Sequence, residues 1–288
     1  MSEDITNINW FPGHMARARR EMSEKIKLVD MVIELRDARS PLSSVNPMLK
    51  ELIGSKPRLI VLAKNDMADR TVTAKWLKAF EKEGHLAVAL DLLKDNVTKI
   101  ISDSCQKVMA DKIAKLKAKG LKHVEIKAMV VGIPNVGKST LINSVGRKKM
   151  AKTANHPGVT RSLQWIKVSS DVALLDTPGV LWPKFEDSMI GYRLALCGSI
   201  AENVLPVERL VRYALGYLKE NYPSSITSRY DVEMTDDLEE LIRRIAESRH
   251  FLNSEGNYDL VRTELLIFRE LKEGLLGNIS WEKPDEAV

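Results

Sequence analysis

The stretch Gly132-Ile133-Pro134-Asn135-Val136-Gly137-Lys138-Ser139-Thr140 meets the spacing G-x-x-x-x-G-K-[ST] without slack. β-branched residues precede it and the helix-period run Leu141, Ile142, Val145 follows it, so the pattern sits where a strand hands over to a helix. Each residue type has its own task. Gly132 and Gly137 let successive backbone N–H groups turn inward around a phosphate, and the helix start adds its positive end. Asn135, Val136 and Thr140 belong to the same cradle. Lys138 supplies a point charge for β- and γ-oxygens, and the Ser139 hydroxyl is placed to ligate Mg²⁺.

A chain of 288 residues with 44% hydrophobic content is long enough for about two domains with real cores. Cys105 and Cys197 stand far apart in no C-x-x-C pattern, which favours a reducing compartment and argues against a zinc site. No apolar run reaches the length of a membrane span and the N-terminus lacks a signal-like stretch, so a cytoplasmic monomer that does not engage membranes is expected. The net charge of +5 becomes informative where it clusters. Lys107, Lys112, Lys115, Lys117, Lys119, Lys122 and Lys127 outnumber the acidic residues around them, and Arg147, Lys148, Lys149 and Lys152 follow the phosphate loop. A solvated helix face and a surface for a polyanion such as RNA are comparable readings of this run.

In chain order, Trp10-Phe11-Pro12-Gly13-His14 leads into a helical apolar stripe (Met15, Ala18, Met22, Ile26, Val29). Strands are expected over residues 29–35, 58–63 and 86–90, with a short helix around residues 48–53, a helix through Trp76 and Phe80, and one long helix over residues 97–119. Strands alternating with helices predict an α/β fold with a mostly parallel sheet, whose ligands lie beyond the carboxyl ends of the strands. Lys64, Asn65 and Asp66 lie at such an end. After the phosphate loop come Thr160 and then a strand ending in Asp176-Thr177-Pro178-Gly179. Thr160 can complete a Mg²⁺ shell, Asp176 can hold that ion through water, and the Gly179 N–H can sense a γ-phosphate. Beyond Phe185 the pattern becomes helical, with stripes at Val207–Leu218, Leu238–Ile245, and Val261, Leu265, Phe268 and Leu271. The acidic group Asp236, Asp237, Glu239, Glu240 reads as a helix start. The expected domains are residues 1–185 and an all-α domain over residues 186–288.

A guanine base offers N1–H and N2–H₂ donors to a carboxylate and a ring face to a lysine stem, which Asp66 and Lys64 can meet. That base-reading element ordinarily follows D-x-x-G, whereas here it precedes the phosphate loop by about seventy residues, so the motif order is circularly permuted. With Trp10-Phe11-Pro12-Gly13-His14-Met15, Asp37-Ala38-Arg39, Asn46-Pro47 and Leu181-Trp182-Pro183-Lys184-Phe185-Glu186-Asp187, the chain resembles the circularly permuted ribosome-biogenesis GTPases of the RbgA (YlqF) type over nearly its whole length. The resemblance implies a P-loop GTPase fold and GTP hydrolysis to GDP with Mg²⁺. It further implies action in late assembly of the large ribosomal subunit, stimulation by that particle, and rRNA contacts from the helical domain.

Val180 follows Gly179, and a hydrophobic side chain cannot orient an attacking water. The resemblance assigns that task to His14, which joins Lys138 and Gly179 as the expected catalytic residues, and it makes Asn135 the candidate K⁺ ligand. The chain departs from the family's N-K-x-D motif, reading Ala63-Lys64-Asn65-Asp66. The alternative from another class is an RNA-binding scaffold that holds nucleotide structurally with negligible hydrolysis. A small-metabolite kinase fits less well, since the switch motifs have no place in it.

Overall fold

The computed structural model describes residues 20–146, 164–177, 181, 185 and 187–286. Its centre is a six-stranded sheet built from β1 (Met31–Asp37), β2 (Arg58–Ala63), β3 (Leu86–Leu90), β4 (Ile126–Val131), β5 (Gln164–Lys167) and β6 (Val172–Asp176), in the order β3-β2-β1-β4-β6-β5. All neighbours are parallel except β5, which runs antiparallel to β6. The strands that end at Lys64 and at the phosphate loop, β2 and β4, flank β1 at the centre, where Met31 of β1 pairs with Ala128 of β4. This is the permuted order made physical.

Alternation along the strands sends side chains into two layers. Ile33, Leu35, Leu59, Val61, Ala128 and Val130 face one core; Val32, Met129 and Val131 face a second, and Ile60 and Leu62 a third. The helices covering these faces are α1 (Pro47–Ile53), α2 (Arg70–Lys82), α3 (Val97–Val108), α4 (Ala110–Ala118) and α5 (Lys138–Val145). The expected single helix over residues 97–119 is two. Met109 leaves helical geometry at φ −100°, ψ 11° while its own side chain stays buried. Sequence amphipathicity did not register the break because α3 is anchored by Val97, Ile101 and Cys105, whereas α4 has no buried residue at all.

After β6 the described elements are helical: α6 (Ser188–Leu196), α7 (Val207–Asn221), α8 (Pro223–Tyr230), α9 (Leu238–Ser248) and α10 (Leu260–Glu273). Leu210, Val211, Ala214, Leu215 and Leu218 of α7 pack with Leu241, Ile242 and Ile245 of α9, and this core is continuous with the sheet face carrying Leu35 and Val130. Asp237 caps α9 by accepting from the Glu239 and Glu240 N–H groups, as its position at a helix start predicts. On α10 the expected stripe needs correction. Phe268 and Leu271 are buried as expected, but Val261 and Leu265 are exposed, and Glu264, Ile267 and Glu270 join the buried face. Glu264 and Glu270 tolerate that position because Arg212 and Arg229 meet them across the helix contacts. Among the described residues no helix is long and apolar enough to cross a membrane.

Candidate nucleotide site

The β4–α5 loop takes the shape its glycines allow. Gly132 (φ +156°), Asn135 (φ +55°) and Gly137 (φ +109°) reverse the chain three times. A Cβ at Gly132 would stand 2.7 Å from the Leu35 carbonyl oxygen, so only glycine lets β4 leave the sheet so close to β1. Behind the loop, Thr177 Oγ1 donates to the Val130 carbonyl at 2.6 Å, tying the end of β6 to the end of β4. Ser144 Oγ donates to the Leu92 carbonyl at 2.6 Å, tying α5 to the segment after β3.

A cleft of about 1090 Å³ opens at this end of the sheet. Its walls include Asn135, Gly137, Lys138, Ser139 and Thr140 from the phosphate loop, Lys64 and Asp66 from the end of β2, and Asp91 to Leu93 after β3. The expected base-reading and phosphate-reading residues thus face one space, although about seventy positions of sequence separate them. Three expected contacts, Val136, Asn65 and Asp176, do not line it. Val136 is fully buried in the core, which leaves only its backbone to offer, and Asn65 lies in the short turn Asn65–Met67 off the cleft wall. Asp176 is buried at the end of β6, near enough to Lys138 for their charges to interact. His14, Thr160, Gly179 and Val180 lie outside the described residues.

Lys138 is buried, and its ammonium donates to the carbonyls of Gly132 at 3.1 Å and Ile133 at 2.6 Å. Burial pulls its pKa down to about 8, with Asp176 pulling partly back. A bound phosphate would add negative charge and raise it again. Nucleotide binding is therefore expected to take up a proton above pH 8, where the free side chain has lost its own. Affinity should be flat below pH 8 and fall by up to about tenfold per pH unit above it. Calorimetry in buffers of different ionisation enthalpy checks this, and a pH-independent heat difference would contradict it.

The sheet ends also carry a buried charge network. Asp37, at the end of β1, receives Arg39 Nε and Nη2 at 2.9 Å each and the Lys64 ammonium at 3.0 Å. Burial alone would raise Asp37, but the two cations outweigh it and hold its carboxyl well below the usual carboxylate range. Arg39 Nη2 and Lys64 Nζ both donate to the Cys197 carbonyl, at 3.0 and 3.2 Å, and Asn135 Nδ2 donates to the Gly198 carbonyl at 2.9 Å. Two adjacent carbonyls just after α6 thus receive groups from β1, β2 and the phosphate loop. No motif in the sequence marks Cys197-Gly198, nor Glu202, Arg269 and Lys272, which complete the far wall of the cleft. They come from segments whose local patterns speak only of helices.

The Ser139 hydroxyl and the Asp176 carboxylate form a sparse set of hard oxygen donors. That chemistry suits Mg²⁺, which keeps waters and nucleotide oxygens in its shell and needs few protein ligands. The Mg²⁺-bearing group would supply charge neutralisation at the β- and γ-phosphates.

The sequence signature described as 50S ribosome-binding GTPase matches residues 127–229. Ribosome biogenesis GTPase A of Bacillus cereus is 47% identical over 280 residues, 97% of this chain and 95% of its own length. Mitochondrial ribosome-associated GTPase 1 of Bos taurus is 33% identical, covering 95% of this chain and 88% of its own. Among solved structures, GDP-bound YlqF superposes with a TM-score of 0.66 at 26% identity, covering 92% of this chain and all of that one. GNP-bound YlqF from T. maritima gives 0.64 at 25% identity, over 93% of this chain and 99% of its own. A phosphate loop and the Lys64–Asp66 turn that share one cleft at the end of a six-stranded sheet agree with that likeness over the full length, and the chain belongs to the ribosome biogenesis GTPase A family.

Proposed function

We propose that this GTPase is an assembly factor for the large ribosomal subunit, switched by nucleotide and stimulated by the particle it helps to build in the cytoplasm. The observation that carries this reading is the cleft itself, where the phosphate loop, the base-reading turn and the helical C-terminal region meet. In it, Asp66 and the Lys64 stem read guanine, Lys138 and the loop amides hold the phosphates, and Ser139 with Thr160 and Asp176 holds Mg²⁺. Gly179 senses the γ-phosphate. Asn135, whose amide nitrogen reaches the Gly198 carbonyl, is the candidate K⁺ ligand. Residues 1–185 form the nucleotide domain and residues 186–288 the domain that meets rRNA. Lys107, Lys115, Lys117, Lys119 and Lys122 are exposed along α3, α4 and the segment after them, and this supports a polyanionic partner for a monomeric protein.

Hydrolysis without the partner is slow, on the order of 10⁻³ s⁻¹ or less, because Val180 cannot place the water. The particle brings His14 to the γ-phosphate. Single-turnover hydrolysis should accelerate when large subunits are added, and His14→Ala should remove about 100-fold of that stimulated rate while nucleotide affinity stays unchanged. A rate indifferent to the subunit would discard the assembly-switch reading. Full stimulation of the variant would discard His14 alone.

A further inference from the structure

The base-reading turn lacks the anchor its motif ordinarily provides. Residue 63 is alanine, and its Cβ lies 3.7 Å from where a Cβ on Gly137 would stand, so this side chain faces the phosphate loop with nothing to hydrogen-bond to it. Lys64 then enters the turn in a left-handed conformation (φ +58°), which a non-glycine residue holds only with support. That support arrives from the opposite side. Asn278 Nδ2 donates to the carbonyls of Asp66 at 2.9 Å and Ala68 at 3.0 Å. The Ile279 N–H donates to the Met67 carbonyl at 3.0 Å, and Ser280 Oγ accepts from the Asp69 N–H at 3.2 Å. Three consecutive residues thus bind four consecutive backbone positions of the turn. The C-cap of α10 adds to them, since a Cβ on Gly274 would lie 3.0 Å from the end of the Met67 side chain.

The segment that makes this ladder is itself fixed. Trp281 is buried, with its ring centroid 5.5 Å from that of Tyr217, and its N–H donates to the Arg39 carbonyl at 2.7 Å. Glu282 accepts from the N–H groups of Leu42 and Ser43 at 2.7 and 3.0 Å. Tyr217 donates to the Ser280 carbonyl at 2.8 Å, and the Tyr222 hydroxyl donates to Asp69 Oδ2 at 3.2 Å.

We infer that Asn278 is a positioning residue for guanine recognition: with Ile279 and Ser280 it holds the turn carrying Asp66 from the C-terminal side, in place of the asparagine absent at position 63. The inference rests on Asp66 reading the base. Its consequence is that base selectivity depends on a segment that never touches the base. Asn278 is exposed, so its replacement leaves the core intact.

Asn278→Ala removes both donors, and Asn278→Asp also sets a carboxylate against two carbonyls. GDP affinity should fall roughly tenfold in the first variant and further in the second. IDP lacks the 2-amino group, so it should lose less, and the GDP-to-IDP preference should shrink toward unity. The midpoint of thermal unfolding without nucleotide should fall by only a few degrees, for the two lost hydrogen bonds. An unchanged GDP-to-IDP ratio in both variants overturns the inference, as does a parallel loss of GDP, IDP and ADP binding. Measuring Asp66→Asn beside them separates the two claims. If that variant keeps its preference for GDP over XDP, the base-reading assignment fails; if it switches while the Asn278 variants keep their ratio, the positioning role alone fails.

Discussion

Asp66→Asn is expected to exchange guanine for xanthine selectivity, losing about 10²- to 10⁴-fold in GDP affinity while gaining XDP binding. Asp66 lines the cleft at the end of β2, opposite the phosphate loop. As a carboxylate it offers only acceptors, which suits the N1–H and N2–H₂ donors of guanine. The amide replaces one acceptor with a donor, leaving one guanine donor facing another and supplying a partner for the xanthine 2-carbonyl. Hydrogen bonds to a charged group contribute about 1.5–3 kcal/mol each, which sets the scale of the loss. Competition binding with GDP and XDP decides the matter, and a variant that still prefers GDP would remove Asp66 from base recognition.

Gly132→Val is expected to be the most damaging single change in the phosphate loop, costing about 3 kcal/mol or more and abolishing nucleotide binding. The first added carbon alone meets the Leu35 carbonyl oxygen at 2.7 Å and Val136 Cγ1 at 3.0 Å. Neither can withdraw. Leu35 is fully buried in a central strand paired with Val61 on its other side, and Val136 is fully buried in the core. Gly120→Ala provides the comparison, because Gly120 also has positive φ (+92°) but nothing within 4 Å of a new Cβ. It should cost only about 1 kcal/mol, for backbone strain alone. Chemical denaturation of both variants separates strain from collision, and similar losses would show that the approach to β1 is not what requires glycine.

The sheet was legible because its strands are continuous apolar runs bounded by turns, as at Arg58–Ala63 and Ile126–Val131, and the phosphate loop because its spacing is itself the mechanism. Motif order then gave the permuted topology that β1 and β4 realise at the centre of the sheet. What escaped was set by tertiary approach. Whether Val261 or Ile267 of α10 is buried depends on where Arg212 and Arg229 stand to neutralise Glu264 and Glu270, which no period in α10 records. The Cys197 and Gly198 carbonyls receive Arg39, Lys64 and Asn135 through backbone atoms, and every residue has a carbonyl, so side-chain identity leaves no trace there. No motif or period in the sequence marks Asn278. The helix-forming residues that run without Gly or Pro through 97–119 likewise concealed the break at Met109.

The Asn278 bond to Asp66 joins residues 212 positions apart. At a synthesis rate of about 5–20 residues per second, the turn leaves the ribosome roughly 10–40 s before its clasp is made. A nascent chain therefore carries the partners of its phosphate loop, Thr177 and the Gly198 carbonyl, well before it carries the brace of the Asp66 turn. On the proposed reading, the capacity to hold phosphate precedes the capacity to choose guanine, although Asp66 is synthesised before the phosphate loop.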